Sequence, residues 1–172
     1  LITYASIGAG YNAKMACSCH FISGRSIEDI STNDLYSVPM AKQVANEEEK
    51  TVMSTVFGLI SRKAIYRPGL GCTLIPKGQD VIAGAIQSLS VPHPNVDLQD
   101  SILPADKKMS LDKILEDNLS TGTGSRAILV LKESKIVAEK YAAGFDKDMP
   151  LLGWSMAKSL TNTMVGILVR DG

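Results

Sequence analysis

Gly153-Trp154-Ser155-Met156-Ala157-Lys158-Ser159-Leu160-Thr161-Asn162-Thr163-Met164-Val165-Gly166-Ile167-Leu168-Val169-Arg170-Asp171-Gly172 is the stretch on which the fold turns. From Met156 onward, Leu160, Met164, Val165, Ile167, Leu168 and Val169 set apolar groups almost all round a 3.6-residue period, the pattern of a helix with protein on every side. Arg170 suits the negative end of such a helix, and Gly172 falls where a left-handed stop belongs. Ser155 and Lys158 stand three apart and share one face. The stretch therefore predicts a serine at the mouth of a buried helix with a lysine one turn on, a candidate nucleophile and base.

Immediately upstream, Ala127-Ile128-Leu129-Val130-Leu131 reads as a buried strand, Lys132 to Lys135 as a turn and Ile136 to Tyr141 as the returning strand of an antiparallel hairpin. The polar loop Gly144 to Pro150 then delivers the chain to Trp154. Before the hairpin, Ser110 to Asn118-Leu119 reads as a helix capped by Ser110, apolar at 111, 114, 115 and 119 and closed by Gly122 and Gly124. Residues 76–109 are loop-prone, with Pro76, Pro92, Pro94 and Pro104 among polar residues, and His93 between two prolines fits an exposed turn. A boundary near Pro104 gives two units, an N-terminal segment 1–105 and a second unit 106–172.

The N-terminal segment is expected to be β-rich. Ser26 to Ile30 has the look of a helix start, with acidic residues in the first turn. Met40 to Lys50 is helix-permissive, its run Glu47 to Lys50 a solvated face. Thr51 to Ile60 is rich in β-branched residues and predicts a strand, turned by Ser61-Arg62-Lys63 and returned by Ala64 to Arg67. Pro68-Gly69 marks a further turn before the short strand Cys72 to Ile75. Leu1 to Gly10 is too short to span a bilayer and is open to two readings, the tail of a signal or anchor or a short strand.

Composition narrows the function classes. The 172 residues are 45% apolar and 21% charged, ordinary for a folded domain, and 18 basic residues balance 18 acidic ones. No global field and no basic patch with interleaved aromatics favours nucleic acid. Three cysteines leave one unpaired within the chain, and a Cys19–Cys72 bridge with Cys17 free is the expectation for an exported chain. Met15-Ala16-Cys17 resembles a lipoprotein processing site, but Lys14 stands where an apolar residue belongs. Cys17-Ser18-Cys19-His20 has no second ligand cluster downstream, so neither a metal nor a cofactor is expected.

Ser-x-x-Lys alone is weak, with about one chance match expected in a chain this long. Ser110-Leu111-Asp112-Lys113 is a second match, assigned to a cap. Context favours Ser155, because at a helix start free N–H groups and the positive dipole end favour a developing oxyanion. Desolvation of Lys158 among Trp154, Met156 and Leu160, beside that dipole, would favour the neutral amine that acts as a base.

The order hairpin, loop, Trp-Ser-Met-Ala-Lys and long apolar helix resembles the serine hydrolases of the β-lactamase and penicillin-binding-protein superfamily, above all class C β-lactamase-like esterases and 6-aminohexanoate-dimer hydrolase-like enzymes. The resemblance covers about Met109 to Gly172. It implies an α+β fold, the N-terminal portion of a β-lactamase/transpeptidase-like domain in which an antiparallel sheet packs on a buried nucleophile helix, preceded by a small β-rich segment. It implies Ser155 as acyl-enzyme nucleophile, Lys158 as general base and a small ester, amide or β-lactam substrate. A periplasmic or membrane-anchored extracytoplasmic place is the expectation, a membrane anchor upstream of Leu1 being one of the two open readings of the N-terminus. That superfamily carries a Tyr-x-Asn or Ser-Asp-Asn element and a Lys-Thr-Gly or His-x-Gly strand after the nucleophile helix. None of Tyr4, Tyr11, Tyr36, Tyr66 or Tyr141 heads such a motif, so the 172 residues are expected to be inactive alone and to be the N-terminal part of a longer hydrolase. Two other readings stay open: a non-catalytic relative that binds peptidoglycan-like or peptide ligands, and a structural α+β domain in which Ser155 caps a core helix and Lys158 reaches to the surface. A phosphate site at Gly122-Thr123-Gly124 fails on order, since those glycines precede a strand.

Overall fold

The computed structural model describes residues 2–35, 38, 40–79, 102–121 and 124–172. The order of elements is α1 (Ile2–Phe21), α2 (Ile27–Asn33), four strands β1 (Ala41–Asn46), β2 (Thr51–Val56), β3 (Ile60–Arg67) and β4 (Gly71–Leu74), then α3 (Ala105–Ser120), the hairpin β5 (Ala127–Lys132) and β6 (Lys135–Tyr141), a 3₁₀ turn (Trp154–Met156) and α4 (Ala157–Asp171). The fold is α+β, with two antiparallel sheets, β1-β2-β3-β4 and β5-β6. His93, Tyr36, Gly122 and Thr123 lie outside the described residues.

The N-terminal segment is built around α1, where a strand or leader remnant was one expectation for Leu1 to Gly10. Helix propensity is mixed here, with Gly8, Gly10 and Ser18 among the alanines, so packing decides. Its buried face, Ala9, Gly10, Ala13, Ala16 and Cys17 among others, is made of small groups that let the helix lie close on the sheet. Gly10 shows how close: a Cβ there would stand 3.1 Å from Leu74 Cδ2. The helix stops at Gly24, whose φ of 70° suits glycine, while Gly24 N–H and Arg25 N–H donate back to His20 and Cys19 carbonyls at 3.0 and 3.1 Å. Ser26 caps α2 as expected, accepting from Asp29 N–H at 3.2 Å. No helix among the described residues is long and apolar enough to cross a membrane.

Under α1 the sheet presents Val52 and Ala64, which meet Ile30, Leu35, Cys17 and Cys72 in one buried cluster with Ala13 and Ala16. Each large side chain so buried contributes about 1.5–3 kcal/mol. Met40 to Lys50, read as helix-permissive, is strand β1 and a turn, because pairing Ala41–Asn46 with Thr51–Val56 outweighs the weak preferences of Ala, Lys and Gln. The β2–β3 turn falls at Phe57-Gly58, not at Ser61 to Lys63. Both residues have positive φ, 55° and 69°, and Leu59 N–H donates to Val56 O at 3.1 Å, so the chain reverses within the three residues between the paired Val56 and Ile60.

The bridge joins Cys17 to Cys72, with Cα atoms 6.0 Å apart, and Cys19 is the free, buried thiol. The Cys19–Cys72 expectation is thus overturned. On a helix, residues 17 and 19 point about 200° apart, so only one of them can face β4. A disulfide-bonded Cys17 in mid-helix also removes the processed-lipoprotein reading and a metal role for Cys17 to His20. His20 is committed elsewhere, its Nδ1 2.7 Å from Arg25 O and its Nε2 2.5 Å from Glu47 Oε1. The hydrogen bond from His20 in turn holds the Glu47 carboxyl below the usual range.

In the second unit α3 begins at Ala105, not Ser110, with Pro104 at its N-cap. Ser110 lies inside the helix, its hydroxyl donating to Asp106 O at 2.9 Å, so it is no cap. The β5–β6 hairpin forms where expected, turning at Glu133-Ser134 with φ of 53° and 61°, but β5 is half exposed rather than buried.

Helix α4 departs most from expectation. It runs where the sequence places it, yet none of its residues is buried, and Leu160, Met164, Leu168 and Val169 are each more than 60% exposed. The expected sheet packed on a buried nucleophile helix is not present, because among the described residues no element covers α4 beyond the turn before it. The 172-residue chain should therefore self-associate through α4. Sedimentation that shows a monomer, together with slow amide exchange from Met164 to Val169, would contradict this.

Candidate active site

Ser155 sits in the 3₁₀ turn and Lys158 in the first turn of α4, and Lys158 Nζ donates to Ser155 Oγ at 3.0 Å. The spacing of three residues is what brings them together, since a chain passing from 3₁₀ to α geometry stacks such positions on one face. Ser155 is not the cap of α4, for Met156 occupies that position in helical geometry and no side chain caps the helix. The expected desolvation of Lys158 is absent: Trp154, Met156 and Leu160 are 62, 70 and 69% exposed, and Ser155 and Lys158 are exposed with them.

Trp154, next to the serine, has φ of 44°, a left-handed backbone unusual for a bulky residue. Its ring stacks on Tyr11 of α1, centroids 6.2 Å apart and planes at 28°. The loop leading to it is tied to the N-terminal segment at Pro150, whose carbonyl accepts from Ser23 Oγ at 2.6 Å, and at Leu152, which packs against the core cluster.

Beside the turn lies a cleft of about 900 Å³, walled by Arg25, Asp29, Asp34, Arg126, Phe145, Leu152, Trp154 and Met156. Motif reading missed its charged wall, for no short spacing joins Arg25 to Asp34 and Arg126. Arg25 Nε donates to Asp29 Oδ2 at 2.6 Å, while Arg25 and Arg126 each place Nη2 2.7 Å from a different oxygen of Asp34. Both guanidinium groups lie over the Phe145 ring, 5.2 Å from its centroid. Burial of Arg25 works against its charge, but the hydrogen bond to Asp29 and the ion pair with Asp34 outweigh that and push its pKa up. The free thiol of Cys19, at the same cleft, is pushed up by burial and then by the charge of Asp34, which keeps it unreactive. Among the tyrosines, Tyr141 bonds to Glu139 and is pushed up to about 12, first by burial and then by that carboxylate, so it supplies no phenolate at neutral pH.

The hydrogen bond from Arg25 holds the Asp29 carboxyl below its usual value. A depressed folded pKa contributes stability that is present above the unfolded value of about 3.9 and is lost as pH falls through the folded value. Asp29→Asn should thus be less stable than the parent by a constant margin well above the unfolded value, and the margin should shrink as pH falls below it and through the folded value. Urea midpoints across that range measure it, and a margin that persists at the acid end would exclude the pairing.

A 6-aminohexanoate-dimer hydrolase of Paenarthrobacter ureafaciens is 38% identical to this chain over 88 residues, which are 48% of this chain and 22% of that protein. The chain thus spans about a fifth of the length of the curated relative it matches. No protein-family model and no solved structure matches it. The similarity relates part of this chain, at a distance, to a hydrolase.

Proposed function

We propose that these residues are the N-terminal part of a serine hydrolase of the β-lactamase and penicillin-binding-protein superfamily that works through an acyl-enzyme on Ser155. The observation that carries the reading is the 3.0 Å contact between Lys158 Nζ and Ser155 Oγ. Similarity to a 6-aminohexanoate-dimer hydrolase supports it, and so does the uncovered apolar flank of α4, which a longer chain would bury. The pair has the geometry for proton transfer, and burial of α4 in the longer protein would supply the desolvation that leaves Lys158 a neutral base.

In the reaction, the Ser155 hydroxyl proton passes to Lys158 Nζ as Oγ bonds to the substrate carbonyl carbon. Early helical amides lack intrahelical acceptors, so the Ser155 N–H can serve the tetrahedral oxyanion. Lys158 returns the proton to the leaving alcohol or amine as that bond breaks, leaving an acyl ester on Oγ. Water then loses a proton to Lys158 as its oxygen bonds to the acyl carbon, and Lys158 passes that proton to Oγ as the ester bond breaks, which releases the acid and restores the serine. The substrate class is a small ester, amide or β-lactam. The Cys17–Cys72 bridge supports a site of action in an oxidising, extracytoplasmic compartment. The test is covalent labelling of the full-length protein by a fluorophosphonate or β-lactam probe, read by peptide mapping. Label on Ser155 is expected, and label on Ser110 or on no serine would refute the assignment.

A further inference from the structure

Helix α4 has almost no packing of its own, so whatever orients Ser155 must act from the chain before it. Resting on the acyl-enzyme reading, we infer that the N-terminal segment is the mount of the nucleophile, with Tyr11 and Ser23 as positioning residues that fix Trp154 and, through it, the Ser155–Lys158 pair. Three attachments converge on the ten residues before the serine. The Phe145 ring is met by the Arg25 and Arg126 guanidinium groups, the Pro150 carbonyl by Ser23, and the Trp154 ring by Tyr11. The last matters most, because Trp154 keeps a left-handed backbone that a bulky side chain adopts only when its surroundings hold it there. Released from Tyr11, Trp154 can relax to negative φ, and a change in that one torsion swings the next residue, Ser155, away from Lys158. The stack on α1 thus sets the direction of Ser155 Oγ, while neither Tyr11 nor Ser23 touches the reacting atoms.

Trp154 is the sole tryptophan of the 172 residues, so its emission reports the mount directly. Tyr11→Ala should raise acrylamide quenching of Trp154 and speed amide exchange at Ser155 and Met156 several-fold. Tyr11→Phe, which keeps the ring face, should restore both. Ser23→Ala removes one surface hydrogen bond, leaves the fold intact, and should also speed the exchange. In the full-length protein, labelling of Ser155 by a fluorophosphonate should lose about 10–100-fold in limiting rate in Tyr11→Ala, with the half-saturating probe concentration unchanged and the rate recovered in Tyr11→Phe. Unchanged quenching and exchange in Tyr11→Ala and Ser23→Ala would overturn the inference. So would altered exchange with an unaltered labelling rate, which leaves the catalytic reading standing. If instead Ser155→Ala is labelled as fast as the parent, the catalytic reading falls and the positioning of its nucleophile falls with it.

Discussion

Ser155→Ala in the full-length protein should abolish both turnover and covalent labelling, because among the described residues Lys158 Nζ hydrogen-bonds to the Ser155 hydroxyl and to no other oxygen. Lys158→Ala should slow acylation by about 10²–10⁴, the range for a positioned general base. Lys158→Arg should be as slow as the alanine variant, since a guanidinium can donate to Ser155 Oγ but cannot accept its proton. A rate recovered by arginine would mean that the lysine acts as a fixed charge instead. Ser110→Ala and Lys113→Ala should leave the rate alone: Ser110 is committed to the Asp106 carbonyl, and Lys113 is an exposed residue of α3. Rates of labelling by one probe across the five variants decide among these.

Loss of the Cys17–Cys72 bridge should have the largest effect on stability. It ties α1 to β4 across a sequence separation of 55, and closing a loop of that length in the unfolded chain corresponds to about 4 kcal/mol. Cys17→Ser, Cys72→Ala and the reduced parent should therefore share one lowered urea midpoint. Cys19→Ala should stay near the oxidised parent, since it removes only a buried thiol. A Cys19→Ala midpoint that falls while Cys17→Ser holds would reassign the pair.

Legibility followed locality. The β5–β6 hairpin was readable because Ala127 to Leu131 and Ile136 to Tyr141 carry their own pattern around a polar turn. The Ser26 cap was readable for the same reason, its partner being Asp29, three residues on. What failed depended on distant partners. Ala41 to Asn46 is a strand only because Thr51 to Val56 pairs with it. Leu1 to Gly10 has no clear period, because α1 is small-sided where it meets the sheet rather than amphipathic. The choice between Cys17 and Cys19 needs the knowledge that both stand on a helix. At the site, Ser155 and Lys158 were legible from their spacing, while the burial of α4 was inferred from an all-round apolar pattern that states a need without naming what meets it. Arg25, Asp34, Arg126 and Phe145 were invisible, since charges scattered over the chain form a network only after folding.

The contact between Ser23 and the Pro150 carbonyl also has a meaning for the order of events in folding. It spans 127 residues, and the Arg126–Asp34 pair spans 92, whereas the hairpins close over short local turns, two residues long between β5 and β6. Loop-closure entropy makes such distant contacts late ones, formed after α1 and its sheet have settled. On a ribosome the N-terminal segment emerges first and can be complete before Trp154 exists. The serine turn then docks onto a finished surface, as a bound peptide would, so its geometry is set at the last step by a template made at the first.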